Sequence, residues 1–200
     1  MTSDATEIMY TAIYDSQEHT MNNLRNRLVI IPVAALAGIS TVALTVASLA
    51  SASDHGAVHA TATLHDTTGN VVGFARLTED ASGRVHVNIK ASGLTAGRHG
   101  VHIHNTGLCA PAFAAAGAHH NPLGAVHGSH AGDLPNLIVN AAGQGRLNAT
   151  TQAATVTHGP LTVFDTNGSA IVIHAAEDDL VTDPTGNSGG RIACGVIVAG

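Results

Sequence analysis

Two hundred residues suffice for one ordinary domain plus a targeting segment, and 2% aromatics with no Trp mean that the core is built from Val, Ile, Leu and Ala. A net charge of -6 at pH 7 excludes a nucleic-acid binder, which needs a basic face. Fourteen histidines are a clear excess, and 22 glycines suit a chain of many turns.

Residues 1–20 hold four carboxylates and no Lys or Arg, and match neither a signal nor a packed element. They read as an upstream leader or a misassigned start. From Met21 the pattern changes. Met21–Arg27 is a short basic head, Leu28–Ala50 is apolar and charge-free, and Ala50-Ser51-Ala52 supplies the small residues of a cleavage site. Residues 21–52 therefore read as a signal peptide, with an uncleaved membrane anchor through residues 28–50 as the alternative. Export to the periplasm or the cell surface follows from either. Residues 53–200 form the mature domain, with six basic and ten acidic residues.

The body alternates like a set of strands. Ala57–His65, Val71–Leu77 and Arg84–Lys90 are rich in β-formers and separated by Gly, Asn and Asp turns. Further strands are expected at His99–His104, Leu137–Asn140, Arg146–Thr150, Ala170–Ala175 and Arg191–Val198. Eight short strands without a helical apolar stripe predict an all-β sandwich or barrel. Two segments, 105–136 and 175–190, lack strand character. Loops of that length in a compact domain carry function or are pinned by a metal. Cys109 and Cys194 are the only cysteines, and in an exported chain they read as one disulfide. Two free thiols would be the reading for a cytosolic chain.

His102-Ile103-His104 is a pair of histidines two apart on an expected strand, so both imidazoles share one face. His174 ends another strand. His119, His120, His127, His130 and Asp133 crowd into fifteen residues of loop. Mixed imidazole and carboxylate sites suit zinc, and an all-imidazole tetragonal site suits copper(II). A histidine-rich scavenging tract is the bland alternative, but a scavenger needs no strand register.

Gly100–His104, Ala116–Pro122, His127-Gly128, His130–Asn136, Ile171–Ala175, Asp178–Leu180 and Gly186–Gly195 together resemble the copper–zinc superoxide dismutases, in order and from about residue 57 to 199. The resemblance implies an eight-stranded Greek-key β-sandwich or barrel of immunoglobulin-like type with two long functional loops. It implies His102, His104, His119 and His174 as copper ligands, and His119, His127, His130 and Asp133 as zinc ligands, with His119 bridging. Asp178 matches the outer carboxylate joining a copper histidine to a zinc histidine. Arg191 matches the arginine that attracts the anion, and Cys109 and Cys194 match the family disulfide. His99 and His120 match positions that bind no metal. His55, His59, His65, His86 and His158 have no counterpart role. Only Gly128 and Ser129 separate His127 from His130, a shorter stretch than is usual. That spacing leaves open whether both bind zinc, or whether His120 or water takes one place.

The implied reaction is dismutation of superoxide to dioxygen and hydrogen peroxide, with Arg191 and His119 the catalytic residues. Superoxide is the implied partner, and membrane contact is expected only through residues 28–50 if they are uncleaved. A homodimer is one implied assembly, with no interface legible from the residues. The rival readings are a non-catalytic periplasmic metal-binding β-module and a metal store. Retention of His102, His104, His119, His174 and Arg191 favours the enzyme.

Overall fold

The computed structural model describes residues 58–110 and 112–200. The leader, signal and anchor readings of residues 1–52 lie outside them. Among the described residues no helix is long and apolar enough to cross a membrane.

The described residues form nine strands in order: β1 Val58–Asp66, β2 Val71–Glu79, β3 Val85–Ala91, β4 Gly97–His104, β5 Asp133–Val139, β6 Gly145–Thr151, β7 Ala170–His174, β8 Arg191–Val196 and β9 Val198–Ala199. Ladder pairing runs β2-β3-β6-β5-β4-β7-β8-β1 and closes because β1 also pairs β2. The result is an eight-stranded antiparallel barrel, with β9 added beside β1. The β3–β4 and β6–β7 connections each skip two strands of the ring, which is Greek-key topology. Closure leaves the barrel itself without an open edge.

Alternation explains β2 and β3. Ala75 and Leu77, then Val85, Val87 and Ile89, point inward, while Phe74, Arg76, Asn88 and Lys90 point outward. Strand β7 has no exposed face. Ile171 and Ile173 join the barrel core, whereas Ala170 and Val172 pack outside it with Phe113, Ala116 and Cys194. The 105–132 loop thus roofs the outer side of β7, which accounts for the unbroken apolar run Ala170–Ile173. Strand β4 is divided in the same way. Val101 and Ile103 enter the core, and His102 and His104 face outward beneath the loops, yet all four are essentially buried.

Most strand bounds shift by one or two residues from the sequence reading, and three differences are larger. Strand β5 begins at Asp133, so the first long loop ends at residue 132 and not 136. Asp133 pairs His102 and Leu134 pairs Val101, while Pro135 sits at an exposed position that donates nothing to the ladder. The last strand divides in two around buried Ile197, whose N–H bonds the Ser169 carbonyl. A third long connection, residues 152–169, went unread. It lacks a strand, but Thr155 and Thr162 form an isolated bridge, and buried Glu79 accepts the N–H groups of Val156 and Thr157 at 2.7 and 2.8 Å. The Glu79 carboxylate pins that segment.

Candidate metal centre

Register brings the histidines together. His102 and His104 lie opposite Val172 and Ala170 of β7, which carries His174 one ladder step beyond Ile173. Asp133 lies opposite His102, and His119 bridges to His104 from the loop. Two clusters result, each with ligand atoms within 4.8 Å of one another: His102, His104, His119 and His174, and His119, His127, His130 and Asp133. His119 belongs to both.

In the first cluster the outer ring nitrogens are engaged. His102 Nε2 bonds Asp178 Oδ2 at 2.5 Å, His104 Nδ1 bonds the Gly117 carbonyl at 2.9 Å, and His174 Nδ1 bonds the Gly189 carbonyl at 3.1 Å. Each acceptor holds the proton on the outer nitrogen, so the inner nitrogen presents a lone pair. His104 Nε2 and His174 Nε2 then face each other at 3.4 Å. Two lone pairs at that distance repel unless a cation joins them. His102 Nδ1 and His119 Nε2 are buried with no hydrogen-bond partner at all. Burial above all lowers the pKa of the first three rings, His104 to about 2 and His174 to about 4. They are therefore neutral ligands at ordinary pH. Four convergent neutral imidazoles are a donor set that fits copper(II).

The second cluster has the spacing of a small tetrahedron. Asp133 Oδ1 stands 2.9 Å from His119 Nδ1, 3.2 Å from His130 Nδ1 and 3.5 Å from His127 Nδ1, and the His119 and His130 nitrogens are 3.3 Å apart. Atoms bound tetrahedrally at zinc distances stand roughly 3.3 Å from one another. His127 Nδ1 is a further buried atom without a partner. The two-residue spacer therefore lets both His127 and His130 reach one point. His120 does not reach it; its Nε2 lies 3.4 Å from the Leu161 carbonyl. His99 is also outside, with Nδ1 2.8 Å from the His174 carbonyl. Burial acts to raise the Asp133 pKa, but the hydrogen bond from His119, with His127 and His130 close by, holds it down at about 2.

Asp178 joins the clusters. Its fully buried carboxylate accepts His102 Nε2 through Oδ2 and His127 Nε2 through Oδ1, the latter at 2.9 Å. Three features of this support were not read from the sequence. Asn136 clamps the Asp178 backbone at both ends, Nδ2 to carbonyl at 2.9 Å and N–H to Oδ1 at 2.8 Å. Gly186 leaves the room: at φ 61 its missing Cβ would stand 1.9 Å from Asp178 Oδ1. Asp183 accepts the His127 N–H at 2.7 Å. The only available signal was position, because Asn136 ends the Asp-Leu-Pro-Asn stretch and Gly186 opens the Gly-Asn-Ser-Gly stretch.

Cys109 and Cys194 are bonded, with Cα atoms 5.7 Å apart. The bond ties the 105–132 loop to β8. That loop supplies the carbonyls of Phe113 and Gly117, which accept from Arg191 Nη1 and Nη2, both at 2.5 Å. Gly117 thus holds Arg191 and His104 through one oxygen. Arg191, His104, His119, His174 and Asn187 line a solvent-open cavity of about 440 Å³. Among the described residues the guanidinium is the one cation on its wall.

Comparison with known proteins agrees with this geometry. Residues 71–197 match the family described as copper/zinc superoxide dismutase. The superoxide dismutase [Cu-Zn] of Deinococcus radiodurans is 42% identical over 171 residues, 76% of this chain and 91% of that protein. Superoxide dismutase [Cu-Zn] 2 of Aquifex aeolicus is 40% identical, covering 74% of this chain and 92% of its own length. A crystal structure of a superoxide dismutase-like protein from Bacillus subtilis superposes with a TM-score of 0.66 at 37% identity, over 69% of this chain and 97% of the other. Domain, fold and donor sets converge: the chain belongs to the copper/zinc superoxide dismutase family.

Proposed function

We propose that His102, His104, His119 and His174 hold copper and that His119, His127, His130 and Asp133 hold zinc, in an enzyme that dismutates superoxide to dioxygen and hydrogen peroxide. The observation that carries the assignment is the pair of clusters sharing His119, with three buried ring nitrogens that lack any other partner. Copper supplies a one-electron couple there, and zinc a redox-silent charge that keeps the loop in shape.

The chain's own residues do the rest. Arg191 presents a protonated, rigid fork at the cavity wall and draws the anion in. The carbonyls of Phe113 and Gly117 keep that fork from swinging into solvent. His119 can carry a proton at Nε2, the atom that faces the cavity cluster, while Nδ1 stays with the second cluster. Asp178 holds His102 and His127 in one orientation each, so these two rings stay in place while His119 exchanges its proton. The non-catalytic module is disfavoured because every one of these groups is present. His102→Ala and His174→Ala, each on the face of a core strand, are expected to lose copper and dismutation while the oxidised barrel remains folded. Full activity at full copper occupancy in either variant would refute the ligand assignment.

We infer also that the chain is exported, supported by the basic head, the apolar run and the Ala50-Ser51-Ala52 site. The disulfide suits an oxidising compartment. N-terminal sequencing of envelope material is expected to begin at Ser53; retention of residues 28–50 would make the segment a membrane anchor. A homodimer rests on the family alone, and solution mass tests it.

A further inference from the structure

The zinc half has a short loop, His127-Gly128-Ser129-His130, which must turn two rings toward one point with only two residues between them. Its backbone is held by carboxylates on two sides. Asp133 Oδ2 accepts the N–H of Gly128 at 2.7 Å and of His130 at 3.0 Å, while Oδ1 faces the rings. The remaining contact comes from the other long loop. Asp183 Oδ1 accepts the His127 N–H at 2.7 Å and lies 3.7 Å from His130 Nε2, the nitrogen on the outer side of that ring. One oxygen therefore bonds the backbone of one cluster histidine and lies near the ring of the next. The two loops are close enough for this because Gly128, at φ 84, has no side chain; a Cβ there would stand 2.4 Å from the Leu180 carbonyl.

We propose that Asp183 is a positioning residue for zinc, the clasp through which the 175–190 loop fixes the shortened 127–130 turn. The inference rests on the reading of the second cluster as the zinc site. Asp183 takes no place among the ligands; it acts through the His127 main chain, which fixes where the turn places both rings. Its side chain is 59% exposed, so water screens its charge and the accepted hydrogen bond carries most of the effect. This separates Asp183 from Asp178, whose buried oxygens bond ring nitrogens directly.

The consequence is a graded one. Asp183→Asn keeps an oxygen that can accept the His127 N–H and is expected to hold zinc within about threefold of wild type. Asp183→Ala removes the acceptor and is expected to weaken zinc about tenfold, the lower end for loss of a group that orients a ligand. The experiment uses the oxidised, copper-loaded protein and measures zinc by competition with a chromophoric chelator. Cobalt(II) in the same site reports geometry, and Asp183→Ala is expected to change its visible bands while Asp183→Asn leaves them close to wild type. Copper content and the disulfide serve as the check that both variants are folded. Wild-type zinc affinity and cobalt bands in Asp183→Ala would overturn the proposal, as would equal losses in both variants. Failure of the wild-type protein to bind zinc at all would instead bring down the site assignment, and the proposal with it.

Discussion

Arg191 is where a single residue separates mechanism from architecture. It is the only basic residue after Arg146, in a chain whose net charge repels the substrate. Attraction must come from local potential, not total charge. Arg191→Ala is therefore expected to keep both metals but lower the second-order dismutation rate by roughly one to two powers of ten. Arg191→Lys is expected to recover part of that rate, since charge returns without the fork. The wild-type rate should fall with ionic strength, and the alanine variant should respond much less. Stopped-flow rates across a salt series decide this; unchanged rate and slope in Arg191→Ala would remove the residue from substrate guidance. The residues that resembled family motifs were legible in the sequence, and the structure places His102, His104, His119, His127, His130, Asp133 and His174 in two clusters, including the His127–His130 pair whose spacing had left the matter open. The residues that hold them were not. Asn136 and Asp183 act through main-chain groups 42 and 56 positions away, and no periodicity encodes such contacts.

Among the elements, the barrel was legible because the pleat imposes a period of two, and alternation in β2 and β3 follows it closely. Strand β7 was expected at Ala170–Ala175, though the reason its apolar run is unbroken, a second packing layer under the 105–132 loop, is tertiary. The 152–169 connection went unread because a buried Glu79 holds it, and a lone carboxylate in a strand gives no sign of its partner. The 105–132 loop owes its place to the disulfide, which closes a span of 85 residues, for a chain-entropy stabilisation of about 4.5 kcal/mol. Reduction is expected to free the Phe113 and Gly117 carbonyls from Arg191 and thereby lower activity before the barrel unfolds. Hydrogen exchange of the reduced protein should rise in residues 105–118 and stay slow in β2, β3 and β6. Uniform exchange across the domain would mean instead that the bond supports the whole barrel.

For the molecule as a whole, the metal centre sets the pH response. In the metal-free protein His104 and His174 ionise at about 2 and about 4, against 6.5 for an ordinary histidine, chiefly because they are buried. His102 shifts in the same direction for the same first cause. Below pH 6.5 the unfolded chain takes up protons that the folded cluster refuses, so acid favours unfolding. Asp133 adds to this at lower pH, because its folded carboxylate stays ionised to about 2 while the unfolded one protonates near 3.8. Metal-free stability, measured by denaturant unfolding, is expected to decline from pH 7 to pH 4. Metal loading should raise the whole profile and leave its slope in place, because bound rings refuse protons as the buried neutral ones do, until protons displace the ions. A flat metal-free profile would contradict the burial of neutral rings.

Two different metals sharing His119 at the two clusters would make this centre what its geometry suggests. Anomalous X-ray scattering from crystals of the loaded protein, collected on either side of the copper and zinc absorption edges, tests it without reference to activity. A copper signal is expected among His102, His104, His119 and His174, and a separate zinc signal among His119, His127, His130 and Asp133. A single ion site, both signals in one cluster, or metal bound away from His119 would contradict it.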